Sequence, residues 1–264
     1  MKTLNGISET MLQTLFARAK ESQSNRRAIY DEKAIEIVKK LDYDFSKANE
    51  DKAMHNGVVA RTIVLDQLLK KYLNSHTQSI IINLACGLDT RCYRFENQYK
   101  HWYNLDLPET MRIRNQFFTP TKTIHSIADS AMNPDWLQQI QYEDEDVLVI
   151  IEGLTMYLHQ EDVQRIFTIL NHFEKVTVFV EVMNPWVCKH IKEKSIEQSQ
   201  AKFTWGVRSG EEFEKIVNFQ SIEDHSLTEG MKEFIPIYQW LDKIQMVSNI
   251  SNKILVLKNK KDQR

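Results

Sequence analysis

The chain has 264 residues, 42% hydrophobic and 27% charged, proportions of a globular protein that exclude wholesale disorder. Its length predicts one large α/β domain with a substantial core. The 34 basic and 36 acidic residues leave a net charge of −2, which argues against nucleic acid as the partner.

The predicted elements begin with helices. Met11, Leu12, Leu15, Phe16 and Ala19 recur at helical spacing over 8–22, with Ser8 placed to cap. Ala34–Leu41 and Val58–Tyr72 are two further amphipathic helices, so residues 1–75 read as a helical segment. Strands follow at Ser79–Leu84, Trp102–Leu105, Thr123–Ile127, Asp146–Ile151 and Val176–Val182. Between them lie helical candidates at Pro108–Phe118, Asn133–Ile140 and Gln160–Phe173. Alternating strands and helices predict a parallel sheet covered on both faces. Beyond Pro185 the reading is looser. It has helices at Trp186–Lys202, Gly210–Val217 and Ile237–Ile244, strands at Phe219–Leu227 and Lys253–Leu257, and a polar tail at Lys258–Arg264.

The apolar runs are far too short to span a bilayer, and the first residues carry no signal-peptide pattern. Cys86, Cys92 and Cys188 form no paired framework, and eight scattered histidines show no zinc-type spacing. The expectation is a reduced cytoplasmic protein with neither a metal nor a membrane partner.

Only seven glycines occur, and Gly87 and Gly153 each closely follow a predicted strand. Ligands of open α/β sheets sit at the carboxyl ends of the strands, so these two positions mark the expected binding edge. Gly87 lets backbone approach a ligand, and helix-start amides lie beside it. Asp106 stands nineteen positions later at the end of the second strand, where a ribose is gripped through its hydroxyls. Thr90 replaces the third glycine of the dinucleotide fingerprint, which favours a ribose ligand without phosphates, such as S-adenosylmethionine, over NAD. An ordinary strand–turn–helix with Asp106 as a cap remains the alternative on pattern alone.

Ala85-Cys86-Gly87-Leu88-Asp89-Thr90-Arg91 with Tyr93-Arg94, then Leu105-Asp106-Leu107-Pro108-Glu109, then Ile151-Glu152-Gly153-Leu154-Thr155-Met156-Tyr157-Leu158 resemble three ordered motifs of one family. That family is the leucine carboxyl methyltransferases, which include bacterial polyketide-type O-methyltransferases. Ala17–Ser22 and Ala60-Arg61-Thr62 resemble its N-terminal helices. The resemblance implies a class I S-adenosylmethionine methyltransferase: a Rossmann-like seven-stranded sheet with an antiparallel last strand, under an N-terminal helical cover. It divides the single domain into a cover over 1–75 and a core over 76–264, with 184–210 as a cap for substrate.

The resemblance also implies roles. Arg61 pairs with the methionine carboxylate of the cofactor. Ala85, where relatives often have glycine, and Gly87 line the methionine portion. Asp106 takes the ribose with Leu107 beside it, and Asp129 and Ser130 meet the adenine. Glu152 lies near the cofactor ammonium and the transferring methyl, and Tyr157 faces the substrate. Arg18 or Lys20 reaches over the cofactor carboxylate, and Trp205 and Arg208 close over the acceptor. The blander readings are surface or packing for Arg61, Arg18, Trp205 and Arg208, a cap for Asp129, a structural ion pair for Glu152 and a half-buried aromatic for Tyr157. His159 reads as a helix-start residue, and Cys86 as a small buried hydrophobe. The expected activity is methyl transfer to the oxygen of a small molecule or a carboxylate. An NAD-dependent oxidoreductase and a non-catalytic cofactor-binding protein are the alternatives.

Overall fold

A computed structural model describes residues 7–190, 202–241 and 243–260. Four helices come first: α1 (Ile7–Ser22), α2 (Glu32–Lys40), α3 (Ser46–Glu50) and α4 (Lys52–Ser75). Ser8 lies inside α1 and not at its flank. α4 is longer than its apolar pattern because Asp51 caps it, accepting from the Met54 N–H at 2.9 Å, and so extends the helix through polar 52–57. Most of α4 is buried because it is sandwiched. Val59, Ile63 and Leu69 face the sheet, while Met54 and Val58 meet Ala17 of α1.

The sheet is built from β1 (Ile80–Leu84), β2 (His101–Asp106), β3 (Ile124–Ala128), β4 (Val147–Ile151), β5 (Val176–Val182), β6 (Phe219–Ser226) and β7 (Lys253–Asn259), in spatial order β3-β2-β1-β4-β5-β7-β6. β1 to β5 pair in parallel, and β7 runs antiparallel to both β5 and β6. Every residue of β1, β4 and β5 is buried, which explains sequences that are apolar but for Asn83, Thr177 and Glu181. Alternate side chains feed two cores. Ile80, Ile82, Val149 and Val178 pack on one face, with α7 (Gln160–Leu170) and α9 (Gly210–Glu214). Ile81, Leu148, Ile150 and Phe179 pack on the other, under α4. Short helices α5 (Arg91–Arg94) and α6 (Pro108–Arg114) follow β1 and β2.

Several expected boundaries are corrected. Asn133–Ile140 holds a 3-10 turn over Pro134–Gln139, begun by Asn133, whose side chain accepts from the Asp135 N–H. The expected helix at Trp186–Lys202 is described only as α8 (Pro185–His190), and 191–201 lie outside the described residues. Gly210–Val217 is helical only to Glu214. Ile237–Ile244 is not one helix. α10 (Leu227–Met231), α11 (Tyr238–Leu241) and α12 (Gln245–Ile250) form the excursion from β6 to β7, and Ile244 lies between the last two. Lys258 is not tail, because β7 continues through it to Asn259, whose amide donates to the Phe173 and Glu174 carbonyls. Residues 261–264 of that expected tail lie outside the described residues. α10 meets α4 so closely that a Cβ on Gly230 would stand 2.1 Å from the Ala60 carbonyl oxygen.

The turn after α1 is held by one carboxylate. Glu21, 1% exposed, accepts from Arg26 Nη2 at 2.5 Å, from the Ala28 N–H at 3.0 Å, and faces His55 of α4 at 3.2 Å. Burial alone would raise this carboxyl, but the Arg26, Ala28 and His55 contacts outweigh it and lower it to about 2. A folded-state value below the unfolded one stabilises above the ordinary carboxyl range, and that contribution is lost as pH falls from about 4.5 toward 2. Glu21→Gln is therefore expected to lower stability at pH 7 by about 2 kcal/mol, a figure reduced for the water-screened Arg26 end. It should also flatten the loss of stability between pH 4.5 and 2 in urea titrations. An acid limb identical to the wild type would remove Glu21 from this role.

Candidate active site

The loop leaving β1 sets the site. Asn83 Nδ2 donates to Asp89 Oδ2 at 2.8 Å, which draws the loop back beneath the strand end. Ala85 and Gly87 adopt left-handed φ values of 52° and 47°. Gly87 can do so without strain, whereas Ala85 bears the Cβ penalty. The absent Cβ at Gly87 also admits α1, since it would stand 3.3 Å from Met11 Cβ. Arg114 of α6 donates to the Gly87 and Asp89 carbonyls at 2.9 and 2.8 Å and lies over the Phe118 ring. Backbone turn, overlying helix and supporting cation thus form one unit.

Around this loop lies a cavity of about 330 Å³. It runs along the carboxyl ends of β1, β2, β3 and β4 and is roofed by Thr10, Met11 and Thr14 of α1. Of the expected residues, Arg18, Arg61, Ala85, Gly87, Asp106, Leu107, Asp129, Ser130 and Glu152 all line it.

Asp106 ends β2 with its carboxylate facing the cavity. It accepts from the Gly87 N–H at 2.8 Å and the Leu107 N–H at 2.7 Å. Burial raises this carboxyl above its ordinary value, against the lowering by those two N–H groups, the Thr110 side chain and Arg114. The Thr110 side chain also acts on this carboxylate, and of about four lone-pair sites at least one stays available to a hydroxyl donor. Asp106 does not cap α6; Leu107 occupies the flanking position. The Leu107 side chain is 52% exposed, a large apolar group turned to the cavity wall.

Asp129 accepts from the Ser130 N–H at 2.7 Å and from Asn133 Nδ2 at 3.0 Å. The backbone N–H of Ser130, one of the two residues expected at the adenine, is thus engaged by its own neighbour. Asn133, and not Asp129, begins the following turn.

At the far end the site is ionic. Arg61 Nε lies 2.7 Å from Glu152 Oε1, too far off line for a directed hydrogen bond, and Arg61 Nη1 donates to Glu181 at 3.0 Å. Arg91 Nη1 donates to Glu152 at 2.6 Å and to Asp89 at 2.9 Å, and its Nε donates to Asp66 of α4 at 2.7 Å. Burial would raise the Glu152 carboxyl, but Arg91 and Arg61 hold it below the usual range. Burial would likewise lower Arg61, but Glu181 and Glu152 keep it firmly charged.

Arg18 is not on an exposed face. It is 4% exposed, paired with Asp31 at 3.0 Å, and donates to the Leu88 carbonyl at 2.8 Å. Lys20 donates outward to the Asn49 carbonyl. Tyr157 sits in a 3-10 turn over Thr155–Tyr157, against Phe203 and off the cavity wall. Trp205 packs on Phe213, and Arg208 is exposed with its N–H on Glu212; neither lines the cavity. His159 begins α7, its N–H bonded to Asp162. Cys86 is buried 3.9 Å from Met111 Sδ, and burial pushes its thiol well up. Among the described residues, no three His, Cys, Asp or Glu side chains are grouped as metal ligands would be. No described helix is long and apolar enough to cross a membrane.

Sequence reasoning missed Asp31, Asp66 and Glu181, and assigned no role to Asp89, Arg91, Arg114 or Asn133. The available signal for Glu181 was a lone acid within the apolar run Val176–Val182, since a buried charge requires a partner.

Comparison with known proteins gives a consistent result. A family model of leucine carboxyl methyltransferases matches residues 11–171. The tetracenomycin polyketide synthesis O-methyltransferase TcmP of Streptomyces glaucescens is 27% identical over 244 residues, 90% of each chain. The S-adenosyl-L-methionine-dependent methyltransferase dpfgK of Gibberella zeae is 28% identical over 235 residues, 80% of this chain and 79% of that one. In fold, a Thermobifida fusca protein assigned as a methyltransferase superposes with a TM-score of 0.59 at 11% identity, covering 92% of this chain and 94% of that one. The magnesium protoporphyrin IX methyltransferase of Synechocystis, solved with bound SAH, gives 0.52 at 7% identity, over 87% and 95%.

The left-handed alanine yields a test. Ala85→Gly is expected to raise stability by about 1 kcal/mol, because relief of the Cβ penalty exceeds the added freedom of the unfolded chain. A lower urea midpoint would show that the Ala85 methyl packs better than it strains.

Proposed function

The chain belongs to the leucine carboxyl methyltransferase family and is an S-adenosylmethionine-dependent O-methyltransferase; from that premise we propose which residues hold the cofactor and which oxygen it methylates. The donor set matches the cofactor part by part. The acceptor capacity left on Asp106 suits a ribose hydroxyl, and half-exposed Leu107 offers an apolar surface to adenine. Asp129 presents a carboxylate steadied by Asn133 to the adenine amino group. Arg61 and Glu152 offer opposite charges to the amino-acid end. Gly87 and Ala85 line the path between, under Met11.

When bound, the cofactor supplies an electrophilic methyl on a sulfonium whose departure leaves neutral sulfur. The work left to the protein is alignment and exclusion of water, not protonation of a leaving group. α1 roofs the cavity and shields it. Arg61 and Glu152 fix one end and Asp106 the other.

The acceptor follows from the state of Glu152. Arg91 and Arg61 hold it ionised and weakly basic, so it is a poor group for removing a proton from a phenol. A carboxylate oxygen is already ionised near neutral pH and needs no such base. We therefore read the acceptor as the carboxylate of a small organic acid. The polyketide synthesis role in the name of TcmP supports an acceptor of small-molecule size.

Two outcomes are expected. Asp106→Ala should weaken S-adenosylhomocysteine binding about 10- to 100-fold in calorimetry, the loss of charged hydrogen bonds worth about 1.5–3 kcal/mol. An unchanged affinity in a folded variant would remove the ribose role. In a panel of matched aromatic acids and phenols, methyl ester should form at a rate nearly constant from about pH 6 to 9, since the acceptor is ionised throughout. Products confined to phenol ethers, with rates climbing with pH, would overturn the carboxylate reading.

A further inference from the structure

One buried carboxylate beside the cavity is not used by any of the roles above. Glu181 of β5 is 2% exposed and does not line the cavity. Its Oε2 accepts from two donors at once: the Gly153 N–H at 2.7 Å and Arg61 Nη1 at 3.0 Å. Its own carbonyl accepts from Thr155 Oγ1 at 2.7 Å, so the turn after β4 is tied to β5 at two points. Gly153 takes a left-handed φ of 67°, and a Cβ there would stand 3.8 and 3.9 Å from Arg61 Nη1 and Nη2. The guanidinium thus lies across the bare glycine, on the side where the cavity opens.

Arg61 therefore has two counter-ions of different kinds. Glu152 lines the cavity and shares its charge with Arg91. Glu181 is sealed behind the cavity and has no other cation within ion-pair distance among the described residues. We infer that Glu181 is the positioning residue that keeps Arg61 aimed across Gly153 into the cavity, leaving Glu152 free to exchange Arg61 for the ammonium group of the cofactor. Glu181 acts through Arg61 and touches neither cofactor nor acceptor. This inference rests on the cofactor placement proposed above.

The consequence is selective. Losing Glu181 harms recognition of the amino-acid end and leaves the nucleoside end intact. Glu181→Gln is the sharp probe, because the amide oxygen at the Oε2 position can still accept from Gly153 while the charge facing Arg61 is removed and an amide nitrogen replaces the Oε1 acceptor. The ligands are S-adenosylhomocysteine and 5′-methylthioadenosine, which lacks the amino-acid end, titrated calorimetrically into wild type, E181Q, R61A and the double variant. The expected result is a loss of about tenfold or more for S-adenosylhomocysteine in E181Q, with methylthioadenosine changed less than about twofold. In the R61A background E181Q should cost nothing further, because its effect passes through Arg61.

Equal losses for both ligands, fully additive losses, or no loss in E181Q would each overturn the inference. Should E181Q fail to fold, Glu181→Asp keeps the charge at a shorter reach and must show the same preference for harming S-adenosylhomocysteine. Equal losses there overturn the inference too. A wild type that binds neither nucleoside overturns the cofactor placement and this inference with it. A wild type that binds both, with E181Q harming them equally, overturns this inference alone.

Discussion

A continuous chain of buried guanidinium and carboxylate groups holds the helical cover to the sheet, and the rest of the site depends on it. It runs from Arg18 of α1 to Asp31 before α2, through Thr90 to Arg94, and from Arg94 to Asp66 of α4. Asp66 binds Arg91, Arg91 binds Asp89 and Glu152, Glu152 pairs with Arg61, and Arg61 binds Glu181. Four guanidinium groups thus face five carboxylates across α1, α4, the β1 loop, β4 and β5. Buried ion pairs add little net stability compared with apolar packing, because desolvation cancels much of the attraction. Their directional demand is what counts here. A greasy contact tolerates sliding, whereas Arg91 meets three carboxylates on three elements only in one register. The cover is located by that constraint and packed by Met11, Leu12 and Leu15.

The loops supply what the ion pairs cannot. The ligand edge needs backbone close to a small molecule at the ends of β1 and β4, and the chain places left-handed residues at both. Gly153 leaves room for a guanidinium, and Gly87 leaves room for α1. Glycine is thus spent where a Cβ would collide, and alanine is accepted at Ala85, where the residue needs the φ and not the space. Asp106 and Asp129 then fix the loops by accepting from backbone N–H groups, which makes each both a ligand candidate and a structural clasp. A ligand role and a loop-fixing role are compatible for both residues, although neither serves as the helix cap that was its blander reading.

The sequence made the sheet legible because its central strands are buried on both faces and therefore largely apolar. The same logic hid Glu181. One acid in β5 does not disturb the strand pattern, and its partner Arg61 lies 120 positions earlier. Pairings of that kind are set by tertiary packing, which no local period encodes. Helix ends were misread where capping and not hydrophobicity decided them, as at Asp51 of α4 and Asn133 of the 3-10 turn. The excursion between β6 and β7 was blurred because its short helices carry no sustained apolar face. Ile237, Trp240 and Ile244 are all exposed, so the periodicity that identifies a packed helix is missing. Arg18 was misplaced for the opposite reason. It is a charge on a helix face that packing has buried, and its pairing with Asp31 and its bond to the Leu88 carbonyl make that tolerable.

Under the proposed cofactor placement, the charge balance around Arg61 and Glu152 bears on turnover as well as binding. The network holds one more carboxylate than guanidinium. The cofactor enters as a cation, counting sulfonium, ammonium and carboxylate, and its product leaves without that charge. A fixed negative surplus therefore favours the fresh cofactor over the spent one, which helps exchange between cycles. The same surplus would repel an anionic acceptor if it were bare, and it is not bare. Arg61 stands on the cavity side of Glu181, and Glu152, which lines the cavity itself, is paired with both Arg61 and Arg91. Such an arrangement suits a reaction that needs no proton removed. It holds opposite charges in line and leaves no strong base among the ionised groups that face the transfer.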